Sequence, residues 1–568
     1  MSSHTSFRKV IIVGGVAGGA GVAARLRRND ENANIIILEK GPYISYANCG
    51  LPYYVGNVIT RKSDLLLQTV EGFSQRFNVD VRVQNEVTHI DTSAKTVTVT
   101  NHDTGASYEE TYDTLVLSPG ASPILPRMTG TDLPHVFTLR TVPDTVKIRA
   151  YIDKHHPRTA AIIGGGFIGI EMAENLTELG IKVSIIEAMD HLIGAIDTDM
   201  SYDLHSHVRS KGVRLLLSET ADSISASSVK LASGAEVEAE LVLVSIGVVP
   251  ETGFIKESGI ELGPRGQIIV NKKHETSAPD VYALGDAIGV TTFTGHEDTI
   301  IPLASPANKQ ARIVADLICG VNRAYNGSQG TAIAKVFDMS VAVTGESEKS
   351  LTRLGIPYKK ALTLSNSHAS YYPGATPTFI KLLFAKDDGK ILGAQITGYD
   401  MVDKRIDVIA TAIRGHMTVY DLEEVELSYA PPFSSAKDPV NMAAYVADNI
   451  LSGRTNPFYL EDLSSLPENA LLLDTRTAGE FEKGSIPGSM NVPLDSLRSR
   501  LLEIPKEKDI YITCQIGLRG YLAEQILRGN GYQAHNLLGG YRHYRAREMD
   551  MAEQAQTKID CTHCGKDK

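Results

Sequence analysis

A chain of 568 residues is too long for one hydrophobic core, and at ~100–200 residues per domain it divides into about three to five units. Its 42% hydrophobic and 22% charged residues describe a folding globular protein, while a formal charge of -11 opposes general affinity for nucleic acid or anionic membrane. No run approaches ~18 apolar residues and MSSHTSFRK has no apolar stretch before the first strand, so neither a membrane span nor a signal peptide is expected and a cytoplasmic location follows.

The first β-branched run, residues 10–13, leads into GGVAGGAGVAARLRR and then IIILEK, which spells strand, glycine turn, helix and strand. Gly14 and Gly19 fit the outer positions of G-x-G-x-x-G, although Val16 occupies the middle one. Glu39 stands where a ribose hydroxyl needs an acceptor, and the contacts of this first dinucleotide are placed at Gly14, Gly15, Ala17, Gly18, Gly19, Glu39 and Lys40. Arg25 and Arg28 lie three apart on the same predicted helix, where two guanidinium forks on one face suit phosphate. Next comes SYANCGLPYY, with a single cysteine, Cys49, beside Gly50 and Pro52, which mark an irregular loop. The segment LVLSPGA (115–121) adds Ser118, Gly120 and Ala121 to the first nucleotide site.

The pattern returns in AAIIGGGFIGIEMAENLTELGIKVSIIEA, where Gly164, Gly166 and Gly169 fill all three positions, Phe167 and Ile168 start the helix and Glu187 ends the next strand. A carboxylate there accepts from two ribose hydroxyls and repels a 2′-phosphate, which selects NADH over NADPH. Gly247 in LVLVSIGVVPET (241–252), and Gly285 with Asp286 in TSAPDVYALGDA (276–287), complete the scheme.

These motifs together, over roughly residues 8–450, resemble the two-dinucleotide flavoprotein disulfide reductases. The resemblance implies an α/β chain with two Rossmann-like domains, FAD in the first with Asp286 on its ribityl chain and a nicotinamide nucleotide in the second, followed by an α+β dimerisation domain. The expected division is an FAD domain at 7–120 and 251–328, an NADH domain at 121–250 and a dimerisation domain at 329–453. Relatives with C-x-x-x-x-C reduce an internal disulfide; SYANCGLPYY instead resembles the single-cysteine branch of coenzyme A-disulfide reductase, NADH peroxidase and NADH oxidase. Three fates follow for Cys49: a mixed disulfide with coenzyme A, a persulfide, or a sulfenic acid made by peroxide. In the coenzyme A-disulfide reductases the positions matching Arg25, Arg28, Ser45, Asn48, Asn308 and Lys437 contact coenzyme A, and Asn48 is also carried over as a flavin contact. SHASYYPGA and LSYAPPFSSAKDPVNMAAYVA resemble segments that project a tyrosine pair from the other subunit toward the cysteine. These are carried over as Tyr371 and Tyr429, with Tyr372 competing for the first assignment; phenols there donate to a leaving thiolate, and the match implies a homodimer.

After NPF a new pattern begins, and LLLDTRTAGEFEKGSIPGSMNVPL with DIYITCQIGLRGYLAEQIL resembles a rhodanese, an α/β sulfurtransferase, over residues 460–548. Asp474 and Glu480 match its entry segment, and residues 514–519 its active-site loop. Cys514 ends an apolar strand and opens a short loop into a helix, so backbone N–H groups converge on its sulfur, and Arg519 adds positive charge that favours a persulfide anion. Cys319 reads as a core residue of an apolar helix. Cys561 and Cys564 form CTHC in a polar tail, 549–568, where one C-x-x-C supplies half a zinc site at most; no metal centre is assigned.

The reading that joins these parts is NADH-dependent reduction, through FAD and Cys49, of coenzyme A persulfide, polysulfide and coenzyme A disulfide, with the rhodanese transferring sulfane sulfur. Two others stay open at this point: NADH peroxidase or oxidase chemistry through a Cys49 sulfenic acid, and a sulfur carrier or redox sensor without turnover.

Overall fold

The computed structural model describes residues 8–295 and 298–563, without the side chains at 298 and 558–563. Its contacts divide the chain into two units, Met1–Ile186 with Thr220–Gly330, and Glu187–Glu219 with Thr331–Lys568. Among the described residues, no helix is long and apolar enough to cross a membrane.

In the first unit one parallel sheet runs in the order Val281–Ala283, Thr114–Leu117, Lys9–Val13, Asn34–Glu39, Asp80–Val83. Lys9–Val13 is central and reads as an unbroken apolar run because both its faces are covered. Side chains alternate along a strand. Val10 and Ile12 therefore join Val22, Ala23 and Leu26 of the helix Ala17–Asn29 in one core, while Ile11 and Val13 enter another with Val87, Ile90, Val97 and Val99 of a small antiparallel sheet. The chain leaves this central strand to one side and returns on the other, which opens a crevice at its carboxyl end, where the first glycine turn sits. The arrangement repeats around Thr159–Ile163, flanked by Lys182–Glu187 and Leu241–Val244, and the second glycine turn follows it.

The second unit holds a five-stranded antiparallel sheet, in the order Ala332–Val336, Met339–Gly345, Ile391–Gly398, Pro377–Ala385, Tyr358–Asn366, with the helices Val402–Arg414 and Pro439–Leu451. A five-stranded parallel sheet follows, in the order Pro457–Phe458, Gln533–Leu537, Asp509–Thr513, Ala470–Asp474, Met490–Asn491. This is the α+β layer and the final α/β layer that the sequence predicts. The stretch from 549, expected as a polar tail, instead continues the helix Gly540–His563. The reason is a buried acid: Asp550, 1% exposed, accepts from His205 Nδ1 at 3.0 Å and from Arg209 at 2.5 Å. Leu192 N–H donates to His205 Nε2 at 3.1 Å, which leaves the proton on Nδ1. The Cys561 side chain and Cys564 lie outside the described residues.

The acids Asp197, Asp199 and Glu348 converge closely enough to hold a cation, and the cation present is Lys381, fully buried. Its Nζ lies 3.0 Å from Asp197 and 2.6 Å from Asp199 and is ion-paired with Glu348. Lys360 extends the network to Glu348 at 3.0 Å and Glu461 at 2.6 Å, tying the antiparallel sheet to the start of the last domain. Removing one partner of a buried charge cluster leaves the others uncompensated, which costs about 3–5 kcal/mol. Lys381→Met is expected to lower stability by that order, read as the shift of the guanidinium unfolding midpoint of the full chain; an unchanged midpoint contradicts the assignment.

Candidate functional site

The first glycine turn is built for close backbone approach. Gly14 has φ +94°, and a Cβ there would lie 2.2 Å from the Ser118 carbonyl oxygen; a Cβ on Gly19 would lie 1.8 Å from the Gly14 carbonyl oxygen. Val16 is tolerated at the middle position because its φ of -96° demands no glycine. Ala17 and Gly18 begin the helix, with Gly18 against the Ser118 hydroxyl. Glu39 accepts from the Gly15 N–H at 2.7 Å and the Gly41 N–H at 2.8 Å. Burial pushes its pKa up against those two bonds. Lys40, expected at the nucleotide, is ion-paired with Glu251. In the second turn, Gly164 and Gly169 pack against backbone, whereas the space in front of Gly166 is open, a cradle that any side chain would enter. Phe167 and Ile168 begin the helix Phe167–Glu178, and Gly247 is held through its carbonyl by the Ile124 N–H at 3.0 Å. Glu187 ends its strand and accepts from Met189 N–H at 2.8 Å.

Cys49 lies in the short turn Asn48–Gly50, which feeds the helix Leu51–Val55. The residue is exposed, yet desolvation by the surrounding protein first, and the Glu171 charge second, raise its thiol pKa, with Arg140 opposing. Neither residue is visible as a site in the sequence. Arg140 donates to Asp286 at 2.7 Å and lines the Gly120 turn, so it joins two segments assigned to the flavin site, Ala121 being buried just beyond. Gly285 receives Gln310 Oε1 on its N–H at 2.8 Å. Glu171 is on the helix Phe167–Glu178, which approaches Gly56 so closely that a Cβ there would meet Asn175 at 2.0 Å. Burial, then Glu174, pushes Glu171 up to about 7. Asn48 leaves its Oδ1 buried without a partner, an acceptor available to a bound molecule.

Of the remaining expected contacts, Ser45 adopts φ 43° and donates its N–H to Gly15. Arg25 is held by Asp316 at 2.8 Å, a partner the sequence did not announce, while Arg28 is exposed. The helix Ala304–Ile318 crosses the first helix at Gly21, which brings Asn308 to the same rim as Arg25.

In the second unit the Tyr371 and Tyr429 hydroxyls are 2.8 Å apart, and both rings are exposed. Tyr372 turns away, edge-on to His368. The two loops meet because fully buried Arg405 grips both: it donates to the Ser367 carbonyl at 2.5 Å and pairs with Asp438, which also accepts from Ser434 at 2.5 Å. Lys437, next to Asp438, is exposed.

Cys514 is 1% exposed at the end of the strand Asp509–Thr513, and the Gly517 N–H donates to its sulfur at 3.1 Å. The loop is held from outside by the Tyr541 N–H on the Cys514 carbonyl at 2.7 Å. Arg519, expected to add positive charge beside Cys514, forms a fork with Glu480 at 2.8 and 2.7 Å. Glu480 is held down to about 2, first by that bond. The pair fixes the loop's geometry as well as its charge. Asp474 is likewise engaged by Arg476, whose guanidinium lies over Tyr541.

Above about pH 7 the Glu171 carboxylate opposes ionisation of Cys49, so Glu171→Gln is expected to move the pH profile of iodoacetamide labelling of reduced Cys49 to lower pH. An unmoved or raised profile contradicts this coupling.

Three family models match in turn: pyridine nucleotide-disulphide oxidoreductase over residues 8–311, its dimerisation domain over 331–439, and rhodanese-like domain over 459–547. A coenzyme A disulfide reductase of Staphylococcus haemolyticus is 36% identical over 444 residues, 78% of this chain and 100% of the relative. The structure of reduced Bacillus anthracis CoADR-RHD superposes with a TM-score of 0.94 at 51% identity, covering 95% of this chain and 98% of that one. A NAD-dependent persulfide reductase from A. fulgidus gives 0.89 at 34% identity, covering 94% and 100%. With these matches lying over the two glycine turns, the Cys49 loop and the Cys514 loop, the chain belongs to the pyridine nucleotide-disulphide oxidoreductase family and carries a rhodanese-like domain at its end.

Proposed function

We propose that the chain is an NADH-dependent reductase of coenzyme A persulfide, polysulfide and coenzyme A disulfide, with its rhodanese-like domain supplying sulfane sulfur, and that it works as a homodimer. The observation that carries this reading is the pairing in one chain of a solitary accessible thiol, Cys49, with a sulfur-carrying loop at Cys514. Peroxide or oxygen reduction needs no second sulfur site.

The residues present fit the cofactors. FAD is accommodated by the turn from Gly14 to Gly19, by Glu39 and by Asp286; NADH is accommodated by the cradle at Gly166 and by Glu187. FAD supplies two-electron transfer from NADH to a sulfur–sulfur bond. Cys49 forms that bond with the substrate. As thiolate it attacks the inner sulfur of coenzyme A persulfide, releasing hydrosulfide and leaving a mixed disulfide; attack on the outer sulfur releases coenzyme A and leaves a Cys49 persulfide. The net change is persulfide, NADH and one proton to coenzyme A thiol, hydrogen sulfide and NAD. Tyr371 and Tyr429, which share a hydrogen bond and stand exposed, are suited to donate to the departing thiolate from a neighbouring subunit. Asn48, Arg25, Asn308 and Lys437 are the proposed contacts of coenzyme A.

Cys49→Ser is expected to lower NADH turnover with coenzyme A persulfide at least ~10³-fold while leaving thiosulfate-to-cyanide sulfur transfer intact. Cys514→Ser should do the reverse. Stopped-flow NADH oxidation and a thiocyanate assay read the two. Retained persulfide reduction in the Cys49 variant, or turnover with peroxide alone, contradicts the proposal.

A further inference from the structure

The segment that follows Glu187 is strained. Ile193, 1% exposed, adopts φ 52°, a left-handed conformation that is an outlier for a β-branched residue and persists only where its surroundings enforce it. Here both ends and the middle are held. At the near end the Glu187 carboxylate accepts from Met189 N–H at 2.8 Å, and the turn leans on that residue: a Cβ on Gly194 would lie 3.0 Å from the Met189 sulfur. At the far end Asp197 donates its N–H to Gln395 Oε1 at 2.8 Å, and its carboxylate pairs with Lys381 at 3.0 Å. In the middle, the Leu192 N–H, directly before Ile193, donates to Nε2 of fully buried His205 at 3.1 Å. His205 is oriented in turn by Asp550 of the last helix, Gly540–His563, which accepts from its Nδ1 at 3.0 Å. Asp550 is itself fixed by Arg209 at 2.5 Å and by Gln554 at 2.8 Å.

A neutral imidazole accepts at Nε2 only in the tautomer protonated at Nδ1, and a buried Nδ1–H needs an acceptor of its own. Asp550 supplies it, so the group that holds Leu192 depends on a carboxylate from the last helix. We propose that Asp550 and His205 are positioning residues of the nucleotide site: through them the last helix holds the turn after Glu187 in the shape in which Glu187 and Met189 meet the adenosine half of NADH. This rests on NADH lying against Glu187 under the proposed function, and it assigns two residues outside the dinucleotide-binding motif to nucleotide affinity. Both side chains are buried, at 0% and 1% exposure, and act on Glu187 through Leu192, Ile193 and Met189. The adenosine ribose is remote from the hydride. Relaxing the turn therefore weakens binding in the ground and transition states alike and leaves the rate at saturation unchanged.

Two probes of the full-length, FAD-loaded protein separate binding from chemistry: titration calorimetry with ADP-ribose, which carries the adenosine half of NADH and no hydride, and stopped-flow reduction of the bound flavin by NADH. Asp550→Asn removes the carboxylate and His205→Asn the acceptor for Leu192. Each should raise the Kd of ADP-ribose and the half-saturating NADH concentration about tenfold, within the usual range for coupled sites, while the limiting rate of flavin reduction stays within about twofold. Amide hydrogen exchange over residues 189–196 should accelerate in both. A glutamine amide reaches the Nε2 position of histidine, so His205→Gln keeps an acceptor for Leu192 and should return ADP-ribose affinity to within about threefold of the parent. Glu553→Gln, which removes the other acid on Arg209, should leave every reading within about twofold. Unchanged ADP-ribose affinity in Asp550→Asn, or His205→Gln as weak as His205→Asn, overturns the inference; if His205→Asn does not fold, Asp550→Asn decides alone. A parent that binds no ADP-ribose removes the nucleotide from Glu187 and overturns it as well. A parent whose flavin is reduced by NADH but which leaves coenzyme A persulfide unreduced overturns the reductase reading alone.

Discussion

To reduce a disulfide or persulfide, Cys49 must become half of a sulfur–sulfur bond, and among the described side chains its own chain brings no second cysteine beside it. The next cysteine in sequence, Cys319, caps a helix and packs against a core. The second sulfur must arrive on a substrate, the substrate needs a binding surface beside the turn Asn48–Gly50, and the thiolate that departs needs a proton donor. Under the proposed function Arg25, Asn48 and Asn308 offer the surface, and the Tyr371–Tyr429 pair of a neighbouring subunit offers the donor.

Buried charge places these groups. Arg405 has no role in chemistry, yet it fixes two loops that are distant in sequence by bonding Ser367 and Asp438 together, and the tyrosines meet as a result. Arg519 shows the same logic at the other sulfur. Its fork with Glu480 spends part of its charge on holding the loop, so the sulfur of Cys514 relies also on the Gly517 N–H. An orienting ion pair and a converging backbone donor together suit a persulfide better than a free guanidinium, which would be mobile and hydrated.

The repeated elements were legible because their signals are local. Gly14 and Gly164 follow buried apolar strands, and the residues of the first strand alternate between two cores as its sequence implies. Cys49 and Cys514 each stand in a short motif. What the sequence left dark are charges whose partners lie far along the chain: Arg140 with Asp286, Arg25 with Asp316, and Asp550 with His205. Composition marked residues after 549 as polar, yet the chain is helical to His563 and Asp550 anchors it through His205 and Arg209. Glu171 is hidden for a related reason. It sits on the polar-looking side of a Rossmann helix, and only packing against Gly56 reveals its proximity to Cys49.

The central claim is that Cys49 borrows its partner sulfur from coenzyme A. Peptide mass mapping of the protein as purified, before and after a thiol reductant, tests it most directly. The account predicts a reductant-labile adduct on the Cys49 peptide with the mass of coenzyme A joined through a disulfide, absent from Cys319. A Cys49 peptide that carries only added oxygen, or that stays unmodified after incubation with coenzyme A disulfide, would contradict it.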